Sequence, residues 1–338
     1  MTSEVREDAR SSSNLRAGGP RASLDDVSAF TRVLGIHMVA RLRLRTAIGD
    51  YPHVQALRDG RVRSSRVNFE FVSVTPVSRA FRPMVRELAF DLSEIAVVTL
   101  AQARACAVPI VGLSAVLMRG FHHGALVCRR DSRIQGPADL AGRAVGVRAW
   151  SQTTGVWVRG ILSEEYGIDP PDIRWVTTEG AHVADCPDPP WVVRAAPGAE
   201  LAGLLRDGGI EAGVALGGLD PAEVRTVIPD AEASAVGWYR RRGIYPVNHA
   251  LALRASLHDA HPWLAGELMA LFAAARDADP PPPHALVGAD ALPYGLPANR
   301  IAIEALIGLA AAQGLIPKGP INKGPIPAAC RAEDLFAV

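Results

Sequence analysis

The side chains able to move protons or hold an anion fall at three kinds of place along the chain. His122 and His123 stand side by side just before an apolar run, Gly124 to Cys128, and His249 sits within another, Ile244 to Leu253. Histidine titrates near neutral pH and suits general acid or base work. Neighbours on an extended chain point to opposite faces, so at most one of His122 and His123 faces a given ligand. Ser151, Thr153 and Thr154 follow the apolar stretch Ala144-Val145-Gly146-Val147 and open a long amphipathic segment reaching Tyr166. Hydroxyls and free N–H groups at such a helix start either cap the helix or receive an anion such as a carboxylate. Trp150, beside them, is suited to stacking on an aromatic ring or to plugging a seam between packed units. Asp50 and Tyr51 follow a first strand-like run and Glu94 is carried by a third, where such residues are either solvated or turned toward a ligand.

The elements that would position these groups follow from periodicity. Leu42, Leu44 and Thr46 alternate with Arg41, Arg43 and Arg45, the two-residue period of a strand with one polar face. Gly49-Asp50-Tyr51-Pro52 ends that strand and leads to a helix stopped at Gly60, and alternation resumes from Val67 to Val74. A helix is expected from about Arg79 to Leu88, then a short apolar strand from Asp91 to Val98. Ile110 to Leu117, Ile173 to Thr177 and Ala212 to Leu216 read as further strands, and Leu201 to Gly208 as a helix. This βαβ rhythm predicts a parallel sheet with helices on both faces. His261-Pro262-Trp263 starts another helix. Four consecutive prolines, Pro280 to Pro283, form a stiff break. Lys318-Gly319-Pro320-Ile321 recurs as Lys323-Gly324-Pro325-Ile326, too little for a repeat protein and consistent with a surface loop.

Composition narrows the class. With 338 residues, 49% of them hydrophobic and 21% charged, the chain can bury a substantial core in two domains of ordinary size or one large one. A net charge of +1 predicts no nucleic-acid partner. Cys106, Cys128, Cys186 and Cys330 are far apart with no CxxC pair, so free and mostly buried thiols are expected rather than a disulfide framework. No run of about eighteen apolar residues predicts a membrane span. Residues 1–40 mix both charge signs with Ser and Gly, which predicts a flexible tail without an export signal and a cytoplasmic location. There is no phosphate-cradling glycine loop and no HExxH-type motif, so no cofactor or metal is expected.

Several strings then coincide, in order, with one family. They include Gly49-Asp50-Tyr51, Phe90-Asp91 with Ser93-Glu94, and Val156-Trp157-Val158-Arg159-Gly160-Ile161-Leu162 before Glu165-Tyr166-Gly167. More specific are Tyr239 to His249, His261-Pro262-Trp263, and Pro293-Tyr294-Gly295-Leu296 with Asn299-Arg300. From about residue 42 to the C-terminus, the chain resembles the 4,5-dihydroxyphthalate decarboxylase family. The resemblance implies an α/β, two-lobed fold like the type II periplasmic binding proteins, with two crossing hinge strands and an interlobe cleft. Lobe 1 would take residues 41–126 and 250–338, and lobe 2 residues 127–249.

The resemblance also implies a cofactor-independent decarboxylase of a hydroxylated aromatic or related small carboxylate. Such chemistry holds a carboxylate, polarises a ring hydroxyl and protonates carbon. His123, just before a crossing strand, and His249, on the returning one, are the candidates for the proton work. Asp50, Tyr51, Glu94, Trp150, Ser151, Thr153 and Thr154 would face the ligand. Tyr294 and Arg300, from a family string, would close the site, although Arg300 can instead pair with Glu304 one turn on. A hydroxylated substrate can chelate a divalent ion, but spacing alone assembles no ligand set for one. Family members often carry Arg-His-Ser where this chain has His122-His123-Gly124, and Glu-Tyr-Gln where it has Ala149-Trp150-Ser151. They commonly place an arginine after the strand that here ends in Leu216-Gly217-Gly218. Losing an acid and two cations near a cleft implies a changed substrate. Two other readings stay open: a non-catalytic solute-binding protein for a small carboxylate, and a different lyase or isomerase on the same scaffold. A homo-oligomer is also left open.

Overall fold

The computed structural model describes residues 40–316 and 330–337, and the described residues from 42 onward belong to one compact unit. The expected N-terminal tail and the Lys-Gly-Pro-Ile copies lie outside the described residues. Two sheets organise the unit. The first has the order β2-β1-β3-β11-β4. Its strands are β1 (Leu42–Ala47), β2 (Val67–Phe71), β3 (Leu92–Ala96), β4 (Ile110–Arg119) and β11 (Val247–Arg254). The second has the order β10-β5-β9-β6-β7-β8. It is built from β5 (Leu126–Arg129), β6 (Ala144–Val147), β7 (Arg174–Thr177), β8 (Val193–Arg194), β9 (Ala212–Val214) and β10 (Val224–Thr226).

The arginine-leucine alternation in β1 does what its period requires: Leu44 and Thr46 are buried while Arg43 and Arg45 face out. β1 runs parallel to β2 and β3, whereas β11 runs antiparallel to both β3 and β4. The chain leaves the first sheet through β4 and returns through β11, and these two paired strands are the crossings between lobes. Helices follow the strands: α1 (Phe81–Glu87), α2 (Val97–Ala105), α3 (Thr153–Tyr166), α4 (Ala231–Arg242), α5 (Leu264–Ala278) and α6 (Leu296–Ala312). Among the described residues no helix is long and apolar enough to cross a membrane.

Two large apolar clusters, with a small third one around Leu205 and Ile210, carry the packing. One lies in lobe 1, where Leu264, Leu268 and Phe272 of α5 pack on Leu44, Leu92 and Leu253. The other spans both lobes, joining Val98 and Leu100 of α2 to Trp157, Trp175 and Trp238 of lobe 2. Trp157 also donates its indole N–H to the Val247 carbonyl at 2.9 Å, which fixes the returning strand where it enters sheet 1. Several expected boundaries shift, among them the strand over 67–74, which ends at Phe71, and the one over 212–216, which ends at Val214. The strand expected over 91–98 stops at Ala96 because Val97 already begins α2. The return strand begins at Val247 rather than Ile244, since Gly243 caps α4 in the left-handed region and the chain must still turn.

Candidate active site

A carboxylate with no exposed surface lies in the middle of β3. Glu94 is 0% exposed, and three donors converge on it. The Gly49 N–H reaches Oε2 at 2.7 Å, the Tyr51 hydroxyl reaches Oε1 at 2.7 Å, and His249 Nδ1 lies 2.6 Å from Oε1. A buried charge without such partners would be strongly unfavourable, so the three donors are what allow a carboxylate here. Two come from the loop after β1, Gly49 and Tyr51, and the third from the returning β11. Gly49 is required by close approach, because a Cβ there would stand 2.5 Å from the Tyr51 ring that folds back over it. Burial, followed by the charge of Glu94, raises the Tyr51 hydroxyl well above its ordinary value, so it stays protonated and donates.

His249 is the member of the cluster that reaches outward. Its side chain is 15% exposed, and its ring stands edge-on to Phe81 at 5.0 Å between centroids. A carboxylate only accepts, so Nδ1 carries the proton and Nε2 is left to meet a ligand. The pairing of β11 with β4 shifts register on both sides of His249, an irregularity that aims a side chain differently from its neighbours. Asn248, one residue earlier, points the other way: its Nδ2 donates to Thr154 Oγ1 at 3.0 Å, and its Oδ1 lies 2.8 Å from His122 Nε2.

The starts of two helices face this cluster from opposite lobes. The Val98 N–H in the first turn of α2 lies 3.5 Å from Thr153 Oγ1 at the start of α3. Ser151, just before α3, is buried and its hydroxyl has no protein partner. The positive helix ends and the unused Ser151 hydroxyl together suit a carboxylate. Among the described residues no group of three His, Cys, Asp or Glu side chains gathers to hold a metal ion.

Other expected site residues are placed elsewhere. Trp150 is fully buried: the Arg159 guanidinium lies 3.6 Å from its ring centroid, and Trp175 and Trp191 pack edge-on. It fills the core and has no free face for a substrate, because α3 brings Arg159 beneath it. Arg300 is on the surface, paired with Glu304 and Glu333, and so does not close a cleft. Asp50 is exposed and accepts from the Gln55 amide. Tyr294 is largely enclosed, stacked with Arg276, and its hydroxyl has no partner.

His123 packs edge-on against Trp238, and neither ring nitrogen has a hydrogen-bond partner. Burial lowers it to about 4, so it is neutral at pH 7. It lines a cavity of about 400 Å³ with Glu165, Ser234 and Arg241, beside α4. A larger cavity of about 1290 Å³ runs along α4 past Phe121, Arg240 and His284. Neither cavity touches Glu94 or His249, so cavity size and converging chemistry do not coincide here. The geometry of the Glu94 cluster is the better guide, because there, alone among the described residues, a reachable histidine and a buried carboxylate meet.

Sequence reasoning missed His182, which comes from lobe 2, lies 2.7 Å from Thr99 Oγ1 through Nδ1, and packs on Phe81. Burial, with Arg148, Arg82 and Arg86 nearby, lowers it to about 3. Nothing in its local sequence, Ala181-His182-Val183, signals a position between lobes. Asn248, also missed, was flagged only by its place inside a family string.

Comparison with known proteins bears on both the fold and the activity. Residues 84–187 match the family model described as NMT1/THI5 like. The chain is 32% identical over 249 residues to a 4,5-dihydroxyphthalate decarboxylase of Comamonas testosteroni, covering 69% of this chain and 74% of that protein. It is 28% identical over 217 residues to one of Pseudomonas putida, covering 59% of this chain and 82% of that protein. Among solved structures, the alkanesulfonate-binding protein SsuA from Xanthomonas axonopodis pv. citri, bound to MOPS, aligns with a TM-score of 0.53. That alignment has 15% identity and covers 83% of this chain and 96% of that one, a likeness of fold.

Proposed function

Because this chain belongs to the 4,5-dihydroxyphthalate decarboxylase family and is a decarboxylase of the two-lobed binding-protein fold, we propose that its substrate is a hydroxylated aromatic or related small carboxylate, with His249 supplying the proton that replaces the departing carboxyl group. The reading rests on one observation above all. His249, at the surface of the crossing strand, has its Nδ1 held 2.6 Å from a wholly buried carboxylate, Glu94.

In this reading the substrate carboxylate lies toward the start of α3, near Ser151 and Thr153. The ring hydroxyl raises electron density at the carbon bearing the carboxylate. A proton passes from His249 Nε2 to that carbon, the C–C bond to the carboxylate breaks, its electron pair restores the aromatic ring, and carbon dioxide leaves. Glu94 holds the imidazole in one orientation and stabilises its charged form before transfer. Tyr51 and the Gly49 N–H hold Glu94 from its other sides. The reaction takes up one proton from solvent, which returns His249 to its starting state. No cofactor is needed for this sequence of steps, and the cytoplasm is the proposed compartment.

The test is an assay of purified protein against hydroxylated aromatic mono- and dicarboxylates in deuterated water, reading carbon dioxide and product mass together. Carbon dioxide release with one deuterium at the vacated carbon, lost in His249→Ala, is the expected result. Release undiminished in His249→Ala sinks the assignment of the proton donor. Tight binding without turnover of any member favours a solute-binding role, and turnover without carbon dioxide a different lyase or isomerase.

A further inference from the structure

Two neighbours near the start of β11 reach in opposite directions. His249 reaches Glu94 in lobe 1, and Asn248 reaches the first turn of α3 in lobe 2. Asn248 is 1% exposed, and its side-chain amide is used at both ends. Its Oδ1 lies 2.8 Å from Nε2 of His122 on the outgoing crossing, and its Nδ2 donates to Thr154 Oγ1 at 3.0 Å. An amide oxygen only accepts, so the His122 nitrogen facing it carries the proton. Burial lowers His122 to about 4, which keeps that ring neutral at pH 7 with a single N–H. The amide N–H is thereby turned toward Thr154 and occupies a lone pair of its hydroxyl. Thr154 is half-buried, and among the described residues its own hydroxyl hydrogen finds no protein acceptor.

On the premise that the substrate carboxylate lies at the start of α3, as proposed above, we propose that Asn248 is a positioning residue that aims the Thr154 hydroxyl at that carboxylate as a donor. Every bond in the chain then runs the same way. The His122 N–H donates to the Asn248 carbonyl, the Asn248 N–H to the Thr154 oxygen, and the Thr154 O–H to the substrate. Bonds aligned in this way polarise one another, and the last one, to a charged acceptor, is the strong one. A hydroxyl turned the other way would present lone pairs to an anion and repel it. Because Asn248 and His249 are adjacent on one strand, the same backbone sets the anchor of the carboxylate and the proton donor at a fixed spacing.

The test uses the full chain and two probes, benzoate and its uncharged counterpart benzamide, with dissociation constants read by calorimetry. Thr154→Val should weaken benzoate by about tenfold and leave benzamide nearly unchanged, while Thr154→Ser should bind both as the unmodified chain does. Asn248→Ala should also weaken benzoate selectively. Combined with Thr154→Val, it should bind benzoate no more weakly than Thr154→Val alone, because both changes remove one interaction. Losses that multiply would overturn the role of Asn248, and equal losses for both probes would overturn it in favour of simple packing. No benzoate binding by the unmodified chain would overturn the site itself.

A second measurement needs no variant and no ligand. The imidazole nitrogen shifts of His122 at pH 7, read by NMR, should place its proton on Nε2. A proton on Nδ1 would reverse every bond in the chain and overturn the assignment. Neither readout uses turnover. Should decarboxylation fail while these results hold, the carboxylate anchor stands in a binding protein; should turnover appear with losses that multiply, only the role of Asn248 falls.

Discussion

The two crossings between lobes carry matched dipeptides, His122-His123 on the way out and Asn248-His249 on the way back, and the molecule uses them differently. The inner members meet each other, His122 Nε2 lying 2.8 Å from Asn248 Oδ1, and that contact joins the crossings. The outer members diverge. His249 finds a carboxylate on one nitrogen and leaves the other toward the cleft. His123 finds only the edge of Trp238 and no hydrogen-bond partner. Two histidines that look alike in sequence therefore differ in the one property that matters for proton transfer, a partner that fixes one nitrogen while the other stays accessible.

The largest expected difference is catalytic. His249→Ala should lower kcat by about 10²–10⁴-fold, while His123→Leu, which removes two unpartnered buried nitrogens, should leave kcat nearly unchanged. Steady-state kinetics on both variants makes the comparison, and equal losses would break it. Glu94→Gln keeps the shape but removes the charge that supports the imidazolium, and should cost about 10²-fold in kcat with little change in KM. Loss confined to KM would place Glu94 in ground-state binding instead.

The same comparison extends to pH. Burial lowers His122 and His123 to about 4 and His182 to about 3, from an ordinary 6.5. The folded chain therefore stays unprotonated at these sites while the unfolded chain takes up protons as pH falls below 6.5. Stability should be level above that point and decline between 6.5 and about 4, by up to about 1.4 kcal/mol per pH unit for each histidine. Urea midpoints at pH 7.5, 6 and 5 check this, and His123→Leu should flatten the slope. A midpoint that does not move between pH 6.5 and 5 would contradict it. The smallest effect belongs to the surface: Arg300→Ala should leave the melting temperature, kcat and KM nearly unchanged, as differential scanning and kinetics would record.

Much of the fold was legible because it is written in local period. The arginine-leucine alternation of β1, the apolar β6 and the amphipathic run of α3 each declare themselves within a dozen residues. The helix α4 was less legible, since Ala231–Arg242 has no strong apolar stripe and its buried members are Ala235 and Trp238. Among expected site residues, Glu94, Tyr51 and His249 meet, and Ser151, Thr153 and Thr154 gather at the facing helix start. Trp150 and Arg300 answer other demands. A buried guanidinium, Arg159 at 0% exposure, needs an aromatic face and carbonyl partners, and it recruits Trp150 for both.

From its own order of residues, this chain determined its strands, most of its helices, the glycine that lets Tyr51 fold back, and the residue types available for chemistry. These depend on backbone period and steric size, which act between near neighbours. Which of two similar histidines gains a carboxylate was decided only in three dimensions. Glu94 and His249 are 155 residues apart, and they meet because β11 returns antiparallel beside β3 with irregular pairing on its other edge. His182 and Thr99 likewise become neighbours only when α2 of one lobe packs on a loop of the other. Such contacts depend on the summed burial of distant apolar surfaces, and no short stretch of sequence carries that sum.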